Sequence, residues 1–287
     1  MDEFTVERKL GSGGQGATYS CIRKQDKRRL VVKQVLCSNI AEANYALKEG
    51  KAMQKLEHAG VVSYDDIFLD EKAEDGIRKL VVCIVMELCE RGDLAVLLQD
   101  QRKKQSFLSE ASVVLPWCEQ LTSALQYIHA NGTLHRDLKP LNIFITSGNQ
   151  VKIGDFGLAR QAVADRMSRV GTPCYLAPEV LNSETYGEAA DIWGLGCIFL
   201  EVLSLNFLWE DKGLLAIKVM STPITASHMS TRYSLPVRQV VAKCLELKAG
   251  SRPSAKELLL FVTRFRLGDQ KPAPAPAPAP ADLEAEE

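Results

Sequence analysis

No two cysteines of this chain are spaced as a C-x-x-C pair. The eight that it carries, at 21, 37, 83, 89, 118, 174, 197 and 244, are scattered. That pattern gives little support to a zinc or disulfide framework and fits small buried hydrophobes in a reducing compartment. Charge of one sign is lacking too. Thirty-five lysines and arginines against 36 aspartates and glutamates leave a formal −1, which gives no global field for nucleic acid or for an anionic membrane. The start, Met1–Asp2–Glu3–Phe4, has no basic stretch leading into an apolar one, so no secretory signal is expected. Uninterrupted apolar runs are also absent. Ile192 to Trp209 comes nearest to membrane-spanning length, but Glu201 and Asn206 break it, and a buried helix is the expectation. What is present is ordinary for a globular protein: 46% apolar and 25% charged residues in a chain of 287, long enough for one large domain or two lobes around a sizeable core.

The informative stretch is His135–Arg136–Asp137–Leu138–Lys139–Pro140–Leu141–Asn142, followed by Asp155–Phe156–Gly157. It offers a carboxylate, a cation two residues on, an amide five residues on, and then a second carboxylate. Phosphoryl transfer from a nucleotide needs such groups: a base for the acceptor hydroxyl, a cation near the moving group, and oxygens for a metal ion. The order H-R-D-x-K-x-x-N, then D-F-G, resembles the catalytic signature of the eukaryotic-type protein kinases. The resemblance covers Phe4 to Leu267. It implies an α+β, bilobal fold: a small, mainly antiparallel-sheet N-lobe with one key helix over residues 1–86, a hinge over 87–90, and a larger, mainly helical C-lobe over 91–267.

Leu10–Gly11–Ser12–Gly13–Gly14–Gln15–Gly16 contains G-x-G-x-x-G. Alone the pattern is weak, because it also opens dinucleotide-binding units. Here Phe4–Leu10 before it and Thr18–Arg23 after it read as strands, so it is a hairpin whose backbone N–H groups can approach phosphates. Gln15 replaces the aromatic residue common at the loop tip, and Thr18 replaces the valine that roofs the adenine, which implies a more polar pocket. Leu30–Val31–Val32–Lys33 ends an apolar strand on a lysine. By itself that is a solvated strand end; at this distance from the glycine loop it matches the lysine that contacts the α- and β-phosphates. Val31 at the alanine position crowds the adenine.

Helical periodicity covers Ala41–His58. Within it E-x-x-x-M-x-x-L-x-H sets Glu49 where the kinase resemblance implies the ion-pair partner of Lys33, and the rival Glu42 lies too early relative to His58. Gly50 beside it weakens a helix by about 1 kcal/mol relative to alanine and would ease its movement. Asp70–Arg78, charged and containing Gly76, reads as a loop. Leu80–Met86 reads as a buried strand leading to Glu87–Leu88–Cys89–Glu90, the hinge that would bind the adenine edge, with Met86 as gatekeeper and Cys89 as a quiet thiol. Gly92–Asp93–Leu94 starts a helix, Gln101–Gln105 reads as a polar loop, and Ser109 or Ser112 caps the apolar helix that runs to Asn131–Gly132. His129 near its end is expected to be structural.

In the roles that the resemblance implies, Asp137 is the base, Lys139 neutralises the γ-phosphate, and Asn142 and Asp155 hold Mg²⁺ through oxygen. ATP and Mg²⁺ are the implied cofactors. Lysine at 139 is the serine/threonine form of the loop, so the expected partners are proteins with serine or threonine acceptors, with no nucleic acid and no membrane. Gly171–Thr172–Pro173–Cys174–Tyr175–Leu176–Ala177–Pro178–Glu179 implies a peptide platform in which Thr172 bridges Asp137 and Lys139. It argues against a small-molecule kinase. Arg136 implies a cation that a phosphate on the activation segment would meet, at Ser168, placed there by an upstream kinase or by autophosphorylation. Asp191 is expected to accept backbone bonds from the catalytic loop, and Arg252 to pair with Glu179. Leu208–Trp209 and Ala249–Gly250 depart from the family pattern.

Three stretches, Val85–Leu94, Val151–Arg160 and Gly171–Glu179, look most like the NIMA-related serine/threonine kinases. This implies a cytoplasmic protein, or one in the nucleus or on the cytoskeleton. An inactive kinase-fold scaffold is the rival; its usual mark is loss of a residue such as Lys33, Asp137 or Asp155, and all three are present. Five Pro-Ala pairs from Pro272, then an acidic end, read as an extended spacer over residues 268–287.

Overall fold

The computed structural model describes residues 1–13, 16–74, 77–156, 173–182, 185–206 and 223–268. The expectations for Gly14, Gln15, Ser168, Thr172, Leu208, Trp209 and nearly all of the Pro-Ala tail fall outside these residues.

Five strands form an antiparallel sheet in the order β1-β2-β3-β5-β4: β1 Phe4–Gly13, β2 Gly16–Arg23, β3 Arg29–Cys37, β4 Tyr64–Glu74 and β5 Ile77–Glu87. The two-residue period of a strand sorts their side chains between the faces. On β3, Leu30 and Val32 join Phe4, Cys21, Val81, Cys83 and Val85 in an outer apolar cluster. Val31 joins Val82, Ile84 and Met86 in the main core. Lys33, two residues beyond Val31, therefore shares the inward face.

The charged segment Asp70–Arg78, expected as a loop, instead continues the β4–β5 ladder on both sides of residues 75–76. Charge does not signal a loop there because β4 is the edge strand, where polar side chains are solvated and deter further pairing. Glu71 and Arg78 pair across the strands.

Helix α1, Ile40–Met53, is shorter than the 41–58 expected. The Asn39 side chain caps it by accepting the Glu42 N–H at 2.9 Å. It buries Ala43, Ala46, Gly50 and Met53, one face of a 3.6-residue repeat. Gly50 has a different role from the loosening expected of it. A Cβ there would lie 2.5 Å from Ile67 Cδ1, so the missing side chain is what lets α1 lie directly on β4.

The larger part is helical. Asp93 caps α2, Leu94–Lys103, accepting the Val96 N–H at 3.0 Å. The helix runs through Gln101–Lys103, which had read as loop. Ser109, rather than Ser112, is the cap of the next segment, which opens with a π turn over Glu110–Val114 and continues as α3, Leu115–Ala130. A two-stranded ribbon, β6 Ile143–Ile145 and β7 Val151–Ile153, precedes α4 Pro178–Leu181, α5 Glu188–Ser204, α6 Leu235–Cys244 and α7 Ala255–Arg266. Buried from Ala190 to Leu203, α5 forms the centre of this part. Its apolarity thus reflects burial in protein; among the described residues no helix is long and apolar enough to cross a membrane. One apolar cluster runs from Val31 and Met86 through Leu138 and Phe156 to Trp193, so the sheet and the helices share a core. All eight cysteines are free and buried.

Candidate active site

The candidate site lies where β3 meets the loops flanking β6–β7: Lys33 reaches Asp155, and the Gly154 N–H donates to the Asn142 carbonyl at 3.0 Å. Gly16 closes the glycine hairpin at φ +141°, and a Cβ there would meet the Gln34 carbonyl oxygen at 1.8 Å. Only glycine permits that backbone crossing. The ladder then sets Gly11 opposite Thr18, and Thr18 opposite Lys33. Leu10, Gly11 and Ser12 are exposed. Met86 is buried and stands opposite Val31 on the neighbouring strand. The Glu87 carboxylate is turned to Lys152 Nζ (2.6 and 2.8 Å) and to the Ser63 N–H (2.7 Å), tying the end of β5 to β7. Burial pushes the Cys89 thiol up to about 12, so it is not a thiolate near neutral pH.

Three side chains of the loop before β6 meet within six residues. Lys139 Nζ donates to Asp137 Oδ2 at 2.8 Å, and Asn142 Nδ2 donates to the same oxygen at 3.0 Å and to the Asp137 carbonyl at 2.7 Å. A 3-10 turn over Pro140–Asn142 brings them round. Beneath them sits Asp191, fully buried. Its Oδ2 accepts the His135 N–H (2.9 Å) and bonds His129 Nε2 (2.9 Å); its Oδ1 accepts the Arg136 N–H (2.9 Å) and the Tyr186 hydroxyl (2.6 Å). Burial works to raise this carboxyl, but the bonds from His129, Tyr186 and the His135 backbone outweigh it and hold it below its ordinary value. Arg136 takes a positive φ of 67° beside it.

His135 is locked between both loops. Its Nε2 faces the Gly154 carbonyl at 3.1 Å, and its Nδ1 accepts the Asp137 N–H at 3.2 Å. Those partners assign a neutral ring with the proton on Nε2. Burial lowers its pKa, against the pull of Asp191. A histidine whose folded pKa lies below its unfolded value stabilises fully above about 6.5 and loses that contribution as the pH falls, because the unfolded chain takes up the proton first. Urea-derived unfolding free energies are therefore expected to drop between pH 7.5 and 5.5, by up to about 1.4 kcal/mol per pH unit from this residue. The half-buried His58, also lowered by burial, adds in the same direction. Asp191 stays charged over that window. His135→Gln, which keeps a donor for Gly154, should flatten the profile, and an unchanged slope would acquit His135.

Asp155 adopts φ +56°. Its N–H donates to the Tyr64 hydroxyl oxygen at 3.2 Å, and Phe156 packs against His135 (ring centroids 4.8 Å) and Tyr64 (6.4 Å). The Asp155 carboxylate receives Lys33 Nζ, a contact across 122 residues of chain. The expected Lys33–Glu49 pair is not formed in this structure. Glu49 Oε1 accepts the Tyr45 hydroxyl instead, and its Oε2 is buried with no hydrogen-bond partner.

Sequence reading had missed Tyr64 and Tyr45. Nothing local marks Tyr64, which works 91 residues from Asp155. Tyr45 did carry a signal, since a tyrosine four residues before a glutamate shares its helix face. The donor set also suits a hard cation: Asn142 spends its Nδ2 on Asp137, which leaves Oδ1 as its acceptor, and the Asp155 carboxylate holds an ammonium where a metal ion would be drawn. Two protein oxygens fit a magnesium ion that takes its remaining ligands from phosphates and water.

The protein kinase domain family matches residues 4–261. The chain belongs to that family. Among its kinase relatives, serine/threonine-protein kinase Nek6 of Oryza sativa subsp. japonica is 35% identical over 264 residues, which span 90% of this chain and 47% of the relative. Serine/threonine-protein kinase Nek2 of Homo sapiens is 34% identical over 270 residues (90% and 59%), and the probable serine/threonine-protein kinase nek2 of Dictyostelium discoideum is 32% identical over 266 (90% and 62%). These relatives carry the Nek name, in line with the resemblance to the NIMA-related group. The chain spans about half to three-fifths of the length of these relatives.

Proposed function

We propose that the protein transfers the γ-phosphoryl group of ATP to serine or threonine hydroxyls of other proteins. The observation that carries this is the meeting of Lys33, from the sheet, with Asp155, from the helical part, beside the Asp137–Lys139–Asn142 cluster. On this reading the amine comes to the base and the metal-binding oxygens from 122 residues away in the chain.

Asp137 takes the proton of the acceptor hydroxyl as its oxygen bonds to the γ-phosphorus. The bond from that phosphorus to the bridging oxygen breaks, and ADP leaves with the electron pair. Lys139, already on Asp137, lies beside the transferring group and offsets its negative charge. Lys33 swings from Asp155 to the α- and β-phosphates, and Glu49 holds it there. Asn142 Oδ1 and the freed Asp155 carboxylate would bind Mg²⁺, which neutralises developing charge on the phosphates when present. Leu10, the glycine loop to Gly16, Thr18, Val31, Met86, Glu87 and Cys89 enclose the nucleotide, with Thr18 making its roof more polar. Arg136 would meet a phosphate at Ser168 and so order the segment that carries Thr172, supplied by autophosphorylation or an upstream kinase. Cytoplasmic protein substrates suit the Nek likeness.

The test is labelled ATP and Mg²⁺ with a mixed peptide library, comparing the unaltered protein with Lys33→Met and Asp155→Ala. Label on serine and threonine from the unaltered protein alone is the expected result, with peptide mass mapping placing phosphate at Ser168 and Ser168→Ala losing activity. Nucleotide binding without transfer in every sample would mean a scaffold.

A further inference from the structure

Helix α1 presents Tyr45 and Glu49 on one face, one turn apart. The tyrosine hydroxyl is hydrogen-bonded to Glu49 Oε1, both side chains are half-buried, and Glu49 Oε2 has no hydrogen-bond partner. A carboxylate oxygen left unpaired out of water is costly. The nearest chemical remedy is a cation, and Lys33 on β3, the strand in contact with α1, carries one. In this structure Lys33 is engaged by Asp155.

Two alternative pairings therefore compete for the same groups. In one, Tyr45 holds Glu49, and Lys33 neutralises Asp155. In the other, Lys33 moves to Glu49, Asp155 is released for a metal ion, and Tyr45 gives up its acceptor. The helix need not unfold to pass between them. Tight seating of Gly50 on Ile67 keeps α1 against β4, so the choice is made by side-chain partners and by a small rotation of the helix. From this competition we infer that Tyr45 is a positioning residue that works as a brake, its hydroxyl holding Glu49 away from Lys33 until nucleotide draws the lysine off Asp155. The inference rests on the kinase reading above and adds to it a residue that restrains the resting site.

Tyr45→Phe removes the hydroxyl and keeps the ring. Without that donor both Glu49 oxygens lack a partner, and the balance shifts towards Lys33. The full chain carrying Tyr45→Phe is expected to bind a Mg²⁺-bound, non-hydrolysable ATP analogue roughly three- to tenfold more tightly by titration calorimetry, the net worth of a typical intramolecular hydrogen bond converted to a ratio. The kcat/KM of protein freed of phosphate should rise by a similar factor. In Tyr45→Phe combined with Glu49→Gln the gain in affinity should vanish, because the glutamine has no charge for Lys33 to join.

A purely structural tyrosine would give the opposite sign, with lower affinity, lower rate and a lower melting temperature together. That result, or an affinity equal to that of the unaltered protein, would overturn the brake, as would a gain that persists in the double variant. The two readings fail separately. Tighter binding with no transfer by any variant would leave the brake standing and sink the catalytic assignment. Transfer by the unaltered protein with no response to Tyr45→Phe would do the reverse.

Discussion

Asp137→Asn is expected to lower kcat by about 10²–10⁴, the range for loss of a positioned general base, while KM for ATP changes by less than about threefold. The substitution separates chemistry from geometry. An asparagine oxygen at this position can still accept from Lys139 and Asn142, which both point at Asp137 Oδ2, so the loop keeps its shape. What is lost is the capacity to receive a proton from the acceptor hydroxyl. Steady-state rates across ATP and peptide concentrations read the two constants apart. If kcat survives within tenfold, Asp137 is not the base. If KM for ATP rises as much as kcat falls, its role is instead to hold the nucleotide. The contrast is with Asp155, whose carboxylate faces Lys33 and would face the metal; its loss should appear in nucleotide binding as well as in rate.

Arg252→Met is expected to destabilise the protein by about 3–5 kcal/mol, because it strands a buried carboxylate. Arg252 Nη1 and Nη2 meet Glu179 at 2.7 and 2.8 Å in a two-pronged pair. The same guanidinium donates to the carbonyls of Glu246 (2.8 Å), Ala189 (2.8 Å) and Leu247 (3.2 Å) and stacks over the Trp193 ring at 5.0 Å. Methionine would fill the volume but leave Glu179 charged, with no counter-charge and three carbonyls without their donor. At about 2–4 °C per kcal/mol for a domain of this size, the melting temperature should fall by roughly 10 °C. Arg252→Lys should recover little, since an ammonium cannot make the planar double contact. Arg252→Met with Glu179→Gln should regain part of the loss by removing the stranded charge. A single-variant loss below about 1 kcal/mol, measured by urea unfolding, would show that the pair is not a structural clamp.

How much of this could be read without coordinates depended on how far apart the partners lie in the chain. The Asp137, Lys139 and Asn142 cluster is closed by a turn of a few residues, so its spacing already implies its geometry. Asp93 and Ser109 are caps because a short polar side chain ahead of an apolar helix reaches back to its first turn, another local effect. The edge strand β4 went the other way. Its charges looked like a loop because only pairing with β5, set by the whole sheet, shows that those side chains line a solvated edge.

Gly50 is the plainest case of a residue whose meaning is tertiary. In the sequence it is a weak helix position; against Ile67 it is the contact that seats α1. The partner of Lys33 is of the same kind. Glu49 has the right residue type at the right spacing, but whether its carboxylate points to Lys33 or to Tyr45 depends on how α1 is rotated against the sheet and on whether Asp155 holds the lysine.

By itself the sequence determined which chemical groups this protein possesses, their order, and the local turns and caps that present them, because those follow from spacing and from backbone preferences within a few residues. Only the tertiary structure decided which carboxylate holds Lys33, that Tyr64 reaches Asp155, and that Tyr45 occupies Glu49. These pairings join groups on separate elements or turn on how one helix sits, and small differences in packing choose among partners of nearly equal chemistry.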